Sequence, residues 1–234
     1  MSARLLWAFV LRDLRIAASY PMSFLLVAVG GLITLTVFYF LARTMGQPPA
    51  LQRYGLDYFS FALIGVAIAA CLRAMQTSFA QKLREAQTDG SLEVLLAAPL
   101  PTFQVISLLA LYPILSALVR STALILVGSL LGARVSVDPI GFGLTLLISL
   151  LPFGALGLLS AAVVLTFKRG DPFAYALDAA NYLLCGVIYP VEVLPPALQW
   201  VSRLLPATYA LRALRATAQP GTRTVDLLPD WGML

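Results

Sequence analysis

Histidine is absent from the 234 residues, and the cysteines are Cys71 and Cys185 alone. A zinc site, a Ser-His or Cys-His nucleophilic dyad and a disulfide framework therefore have almost no material to be built from. Both cysteines lie inside apolar runs, the setting of small core residues. Neither a Gly-x-x-x-x-Gly-Lys-Ser/Thr loop nor any Gly-Lys pair occurs, so the chain has no such cradle for ATP. The expectation is no catalytic residue, no metal and no cofactor bound by this chain. What stands out chemically is three charges inside apolar segments, Arg73, Arg120 and Asp178. At the centre of a membrane helix each would cost about 2.5–3.5 kcal/mol, so they should be paired or face a polar cavity.

The elements that carry these charges are apolar and long. Hydrophobic residues make up 60% of the chain and charged ones 12%, against about 25% charged in ordinary soluble domains. A water-soluble globular protein is excluded. The net charge of +5 comes without a basic run, which leaves a nucleic-acid partner little support. A spanning helix needs roughly 20 apolar residues. Five segments qualify: Met22 to Ala42, Tyr58 to Ser78, Phe103 to Leu131, Gly141 to Phe167 and Phe173 to Tyr189. The fold class is thus an all-α polytopic membrane helical bundle, and residues 1–234 form a single transmembrane domain.

Basic residues near span ends stay on the cytoplasmic side. With the N-terminus inside, Arg4, Arg12, Arg15, Lys82, Arg84, Lys168 and Arg169 are cytoplasmic, against Arg43, Arg53 and Arg134 outside. The tail after Pro190 adds Arg203, Arg212, Arg215 and Arg223 outside and weakens the contrast. Arg73 and Asp178 then each lie about five residues from the inner end of their spans, roughly 7–8 Å deep, which favours pairing them. Arg120 lies nearer the outer half and turns toward Glu192. In the competing reading Arg73 snorkels to the headgroups and Asp178 reaches water.

Residues 1–20 read as an interfacial helix. Arg4, Arg12, Arg15 and Ser19 share a polar stripe, and Leu6, Trp7, Val10, Leu14 and Ala17 lie opposite. Asp13 falls off the stripe, either toward another part of the protein or simply solvated. Between the second and third spans, residues 79–102, Asp89-Gly90 ends a helix, and Ser91 to Ala98 forms a short one closed by Pro99 and Pro101. Leu92, Leu95 and Leu96 make an apolar ridge suited to a groove on a soluble partner, or to an ordinary membrane-surface loop. Residues 190–218 hold two short helices opened by Pro196 and by Pro206, with Trp200 and Tyr209 suited to an interface. Lys168 and Arg169, in the loop between the fourth and fifth spans, suit anchoring to anionic headgroups better than a nucleotide contact. Gly128 and Gly132 form a step that permits close backbone approach, at a dimer face or in ordinary membrane packing.

Two of these segments resemble the ABC type-2 transporter permeases. Glu85, Gly90, Ser91 (where Thr is usual), Leu92, Glu93, Leu95, Leu96 and Pro99 are similar to the family's segment touching its ATPase. Gly186, Pro190, Glu192, Leu194, Pro195 and Pro206 are similar to the outer helical hairpin after the family's fifth span. The resemblance implies a multi-pass subunit of the plasma membrane with its N-terminus in the cytoplasm. It also implies a separate ABC ATPase subunit holding ATP and Mg, a permease homodimer or heterodimer in the lipid bilayer, and export of a lipid, glycan, drug-like or other amphipathic substrate. The family usually has six spans, whereas the eight residues after Asp226 cannot cross a layer needing about 20. The expectation is then a truncated permease or a five-span variant that ends outside; a truncated permease that only binds an ATPase, and a membrane-embedded enzyme, are the other readings.

Overall fold

The computed structural model describes residues 3–46, 49–93, 97, 101–133, 135, 138–167, 172–219 and 224–234. Among them there is no strand, and four helices are long and apolar enough to cross a membrane. Helix α1 (Ala3–Ala18) is amphipathic and ends before Pro21, which opens α2 (Pro21–Met45) because a first-turn residue needs no N–H. Helix α3 (Tyr58–Thr88) starts where the Asp57 carboxylate accepts from the Ser60 N–H at 3.3 Å and the Ser60 hydroxyl at 2.6 Å. Helices α4 (Thr102–Leu130) and α5 (Pro139–Phe167) follow, each passing through an internal proline, Pro113 and Pro152.

Helix α3 is the axis. It is buried along most of its length, while α2, α4 and α5 pack around it and turn Leu25, Leu26, Ile33, Phe40, Leu126 and Leu151 outward, as hydrocarbon requires. The packing is close. A Cβ on Gly128 would stand 2.3 Å from Leu63 Cδ2, and one on Gly157 would stand 2.7 Å from the Gln76 carbonyl oxygen. Gly128 therefore serves contact with α3 inside this chain, and Gly132, at φ +103°, terminates α4.

The helix that carries the second span runs past Ser78 to Thr88, where the Asp89-Gly90 turn is expected to end it, so Arg73 sits near the middle of α3. At about 1.5 Å per residue this 31-residue helix exceeds the ~30 Å layer, and its polar last turns project from it. The fifth segment, expected to run from Phe173 to Tyr189, is helical only as α6 (Pro172–Leu184). Its 13 residues cover about 20 Å. The chain breaks at Gly186, held at φ +79°. Arg215 takes up the freed carbonyls: Nη1 donates to Gly186 O and Nη2 to Val187 O, at 2.5 and 2.7 Å. Beyond the break come a 3-10 turn (Val191–Val193), α7 (Pro196–Leu204), α8 (Pro206–Ala216), a second such turn (Thr224–Leu227) and α9 (Leu228–Trp231).

Candidate functional site

A polar seam runs between α3 and α6. Arg73 Nε lies 3.4 Å from Asp178 Oδ1, and one turn away Asn181 Nδ2 donates to Gln76 Oε1 at 3.1 Å. Gln76 is fully buried, and its Nε2 has no partner among the described residues. Beside the ion pair is a cavity of about 110 Å³ lined by Arg73, Thr77, Gln81, Arg84, Tyr175 and Asp178. On α3 these polar residues recur at three- to five-residue steps, one face of a helix. That spacing is legible in the sequence, but Gln76, Thr77 and Gln81 carry no charge, so no intramembrane ion marks them. Asp178 is only 27% exposed whereas Arg73 is 55% exposed, so the guanidinium has donors left for something beyond its partner.

At the end of α3 where the Asp89-Gly90 turn lies, here called the loop end, a second cluster forms. Asp13, 5% exposed on α1, accepts from Arg12 Nε at 2.9 Å and lies 4.0 Å from Lys82 Nζ on α3. Lys82 also donates to Glu85 at 2.7 Å. Gly90 sits at φ +70°, a conformation only glycine adopts freely, and turns the chain back. Leu92 then packs against Ala80 and Leu83 of α3 and Ala161 and Val164 of α5. The Ala97 N–H donates to Glu93 O at 3.0 Å, one helical hydrogen bond. Ser91 and Glu93 are exposed; Leu95, Leu96, Pro99, Lys168 and Arg169 lie outside the described residues.

The opposite, hairpin end is built on α7 and α8. Pro195 precedes α7, Leu205 separates the helices, and Pro206 opens α8. The Thr208 hydroxyl donates to Ser202 O at 2.6 Å, and the Tyr209 hydroxyl donates to Arg203 O at 2.8 Å, which closes the corner. Gln199 Nε2 donates to Leu194 O at 2.8 Å, so the turn that follows buried Pro190 is tied to α7. Glu192 accepts from the Tyr54 hydroxyl at 3.3 Å. Burial and the neighbouring Glu192 charge raise the Tyr54 phenol above its ordinary value, with Arg215 and Arg212 opposing.

A family model described as "ABC-2 type transporter" matches residues 3–218. The chain belongs to that family. Relatives named "Inner membrane transport permease YadH", from Escherichia coli strain K12 and from Shigella flexneri, are each 26% identical over 208 residues, 86% of this chain and 78% of theirs. This ABC-2 permease is thus a polytopic helical membrane protein of an ABC transporter family whose members are transport permeases.

Of the three intramembrane charges in this permease, Arg73 and Asp178 are brought together and Arg120 stands apart. Cys71 Sγ lies 3.2 Å from Ser121 Oγ, which itself donates to Ala67 O at 2.8 Å. Arg120, next to Ser121, is therefore close to the level of Arg73 and not far above it, but on the exposed side of α4. Among the described residues no pair joins Arg120 to Glu192. Arg215, read in the sequence as one more basic residue of the tail, is the buried cation of the hairpin end: it is 4% exposed, with Cζ 3.7 Å from the Phe61 ring centroid. A Cβ on Gly65 would stand 2.2 Å from Arg215 Nη2, so the glycine opposite was the available signal. Burial lowers the guanidinium to about 9, still charged at neutral pH.

Proposed function

We propose that the chain is one permease half of an ATP-driven exporter, with its loop end in the cytoplasm against a separate ATPase and its hairpin end outside. The observation that carries this reading is the seating of Leu92 between α3 and α5, beside the Asp13 to Lys82 link to α1. A push on the exposed Ser91 and Glu93 surface is delivered to three helices at once, because close-packed side chains transmit displacement instead of absorbing it. The helix that receives it, α3, carries Arg73, Thr77 and Gln81 of the polar seam. A second permease copy completes the pathway, and an amphipathic substrate keeps its polar part beside that seam while its apolar part stays in lipid.

The test is Leu95→Asp in the permease reconstituted with a candidate ABC ATPase subunit. An apolar docking residue is exchanged for an unpaired charge, so substrate-stimulated ATP hydrolysis should fall about tenfold or more while the membrane part stays folded. Normal assembly and export by that variant would remove the loop from the mechanism. Complex formation without any transport by the unaltered chain would instead make it a non-transporting membrane partner. Orientation is tested by Gln199→Cys in a background without Cys71 and Cys185. Intact cells should label there with an impermeant thiol reagent; labelling at Glu93→Cys alone would invert the topology.

A further inference from the structure

A cavity lies at the hairpin end, and the transport reading assigns it no role. It measures about 440 Å³, inside the roughly 300–1,000 Å³ range of small-ligand sites. Its wall includes Arg203 of α7, Arg212 and Arg215 of α8, Tyr54, Gln199 and Glu192.

The positive charge there is incompletely answered. Arg212 is ion-paired with Asp230 of α9, Nε donating to Oδ1 at 2.7 Å and Nη2 to the same oxygen, so that guanidinium is shared and Arg203 and Arg215 carry the unanswered charge. Arg203 lies over the Trp200 ring, with Cζ 5.1 Å from its centroid, and among the described residues no carboxylate pairs with it. Arg215 is compensated by two carbonyl dipoles and the Phe61 face, and among the described residues no carboxylate is in contact with it and its buried Nε–H has no acceptor. Glu192 acts on Arg215 only through space, and a buried cation with no anion in contact among the described residues is costly, so an oxyanion in reach would relieve it. Guanidinium forks match phosphate oxygens in pairs. Glu192, held by Tyr54 on the same wall, disfavours a second negative charge, which selects a singly charged phosphodiester over a polyanion. Trp200 and Leu204 stand 68% and 84% exposed on α7, an apolar face that sets the cavity beside a bilayer surface.

We infer that this cavity binds the phosphodiester of an amphiphile headgroup, gripped by Arg203 and Arg212 with Arg215 as a fixed positive charge behind them. The inference goes beyond the transport reading and stands without it, since it concerns binding and not direction or coupling.

The protein, purified in an uncharged detergent, would be titrated with short-chain phosphatidylglycerol, with inorganic phosphate and with uncharged short-chain diacylglycerol, following the thermal midpoint and calorimetric binding. Phosphatidylglycerol should bind and raise the midpoint; diacylglycerol should not. Arg203→Gln removes an exposed guanidinium that no carboxylate among the described residues holds, so it should fold normally and weaken that binding about tenfold, the scale of one charged hydrogen bond. Arg203→Lys should recover part of it. Equal binding of phosphatidylglycerol to the Arg203→Gln variant, or equal binding of diacylglycerol to the unaltered protein, would overturn the site. Inorganic phosphate binding as tightly as the lipid would overturn the headgroup assignment in favour of a free anion.

Discussion

Arg73 and Asp178, 105 positions apart in the chain, meet with 3.4 Å between Nε and Oδ1 and tie the axial helix α3 to the interrupted α6. The contact sits beside the Gln76 to Asn181 hydrogen bond, so two polar links join the same pair of helices. Because α6 is too short to cross a bilayer, these links hold in place an element that hydrophobic length alone would not.

Arg73→Ala and Asp178→Ala should each lower the yield of folded protein, and the double replacement should recover part of the loss. A double-mutant cycle on thermal stability is expected to give a coupling of about 0.5–1 kcal/mol, kept small because Arg73 is more than half exposed. Strictly additive losses would show that the two groups act separately.

Gly65→Ala should be among the most damaging single-methyl changes in the chain. The added Cβ would stand 2.0 Å from the Val187 carbonyl oxygen and 2.2 Å from Arg215 Nη2, and the first of these is backbone. The expected cost is about 3 kcal/mol, the upper end for overpacking. Gly30→Ala, where nothing lies within 4 Å, is the matched control. Equal thermal midpoints for the two variants would rule out the tight crossing between α3 and the break at Gly186.

Asp13→Ala removes the carboxylate that Arg12 and Lys82 share at the loop end. Loss of a buried hydrogen-bonded acceptor costs about 1–3 kcal/mol. The thermal midpoint should fall, and limited proteolysis should begin within α1, since the α1 to α3 tie is gone. Unchanged proteolysis would mean that α1 is held by its apolar packing on α4 and α2 alone.

Much of the fold follows from local chemistry that a chain carries with it. Long apolar runs make α2 to α5 because a backbone in hydrocarbon must satisfy its own hydrogen bonds. Pro21, Gly90, Pro196 and Pro206 punctuate the chain where their missing N–H or positive φ dictates. Asp57 was open to recognition as a helix cap by the same kind of argument. These effects act over a few residues, so neighbours in sequence suffice to decide them.

Partner choice does not act over a few residues. Depth arithmetic brought Arg73 and Asp178 to one level, but the face each side chain takes depends on how α3 and α6 cross. The same arithmetic sent Arg120 toward Glu192; packing of Cys71 on Ser121 puts it elsewhere, because the crossing of α3 and α4 decides which of their residues meet. The break of the fifth segment at Gly186 is tolerable only because Arg215, 29 positions away, fills its carbonyls, and Arg215 can lie there only because Gly65 has no side chain. Three distant segments must be in place before any of them reads as functional, and a hydrophobic pattern records burial without recording against what.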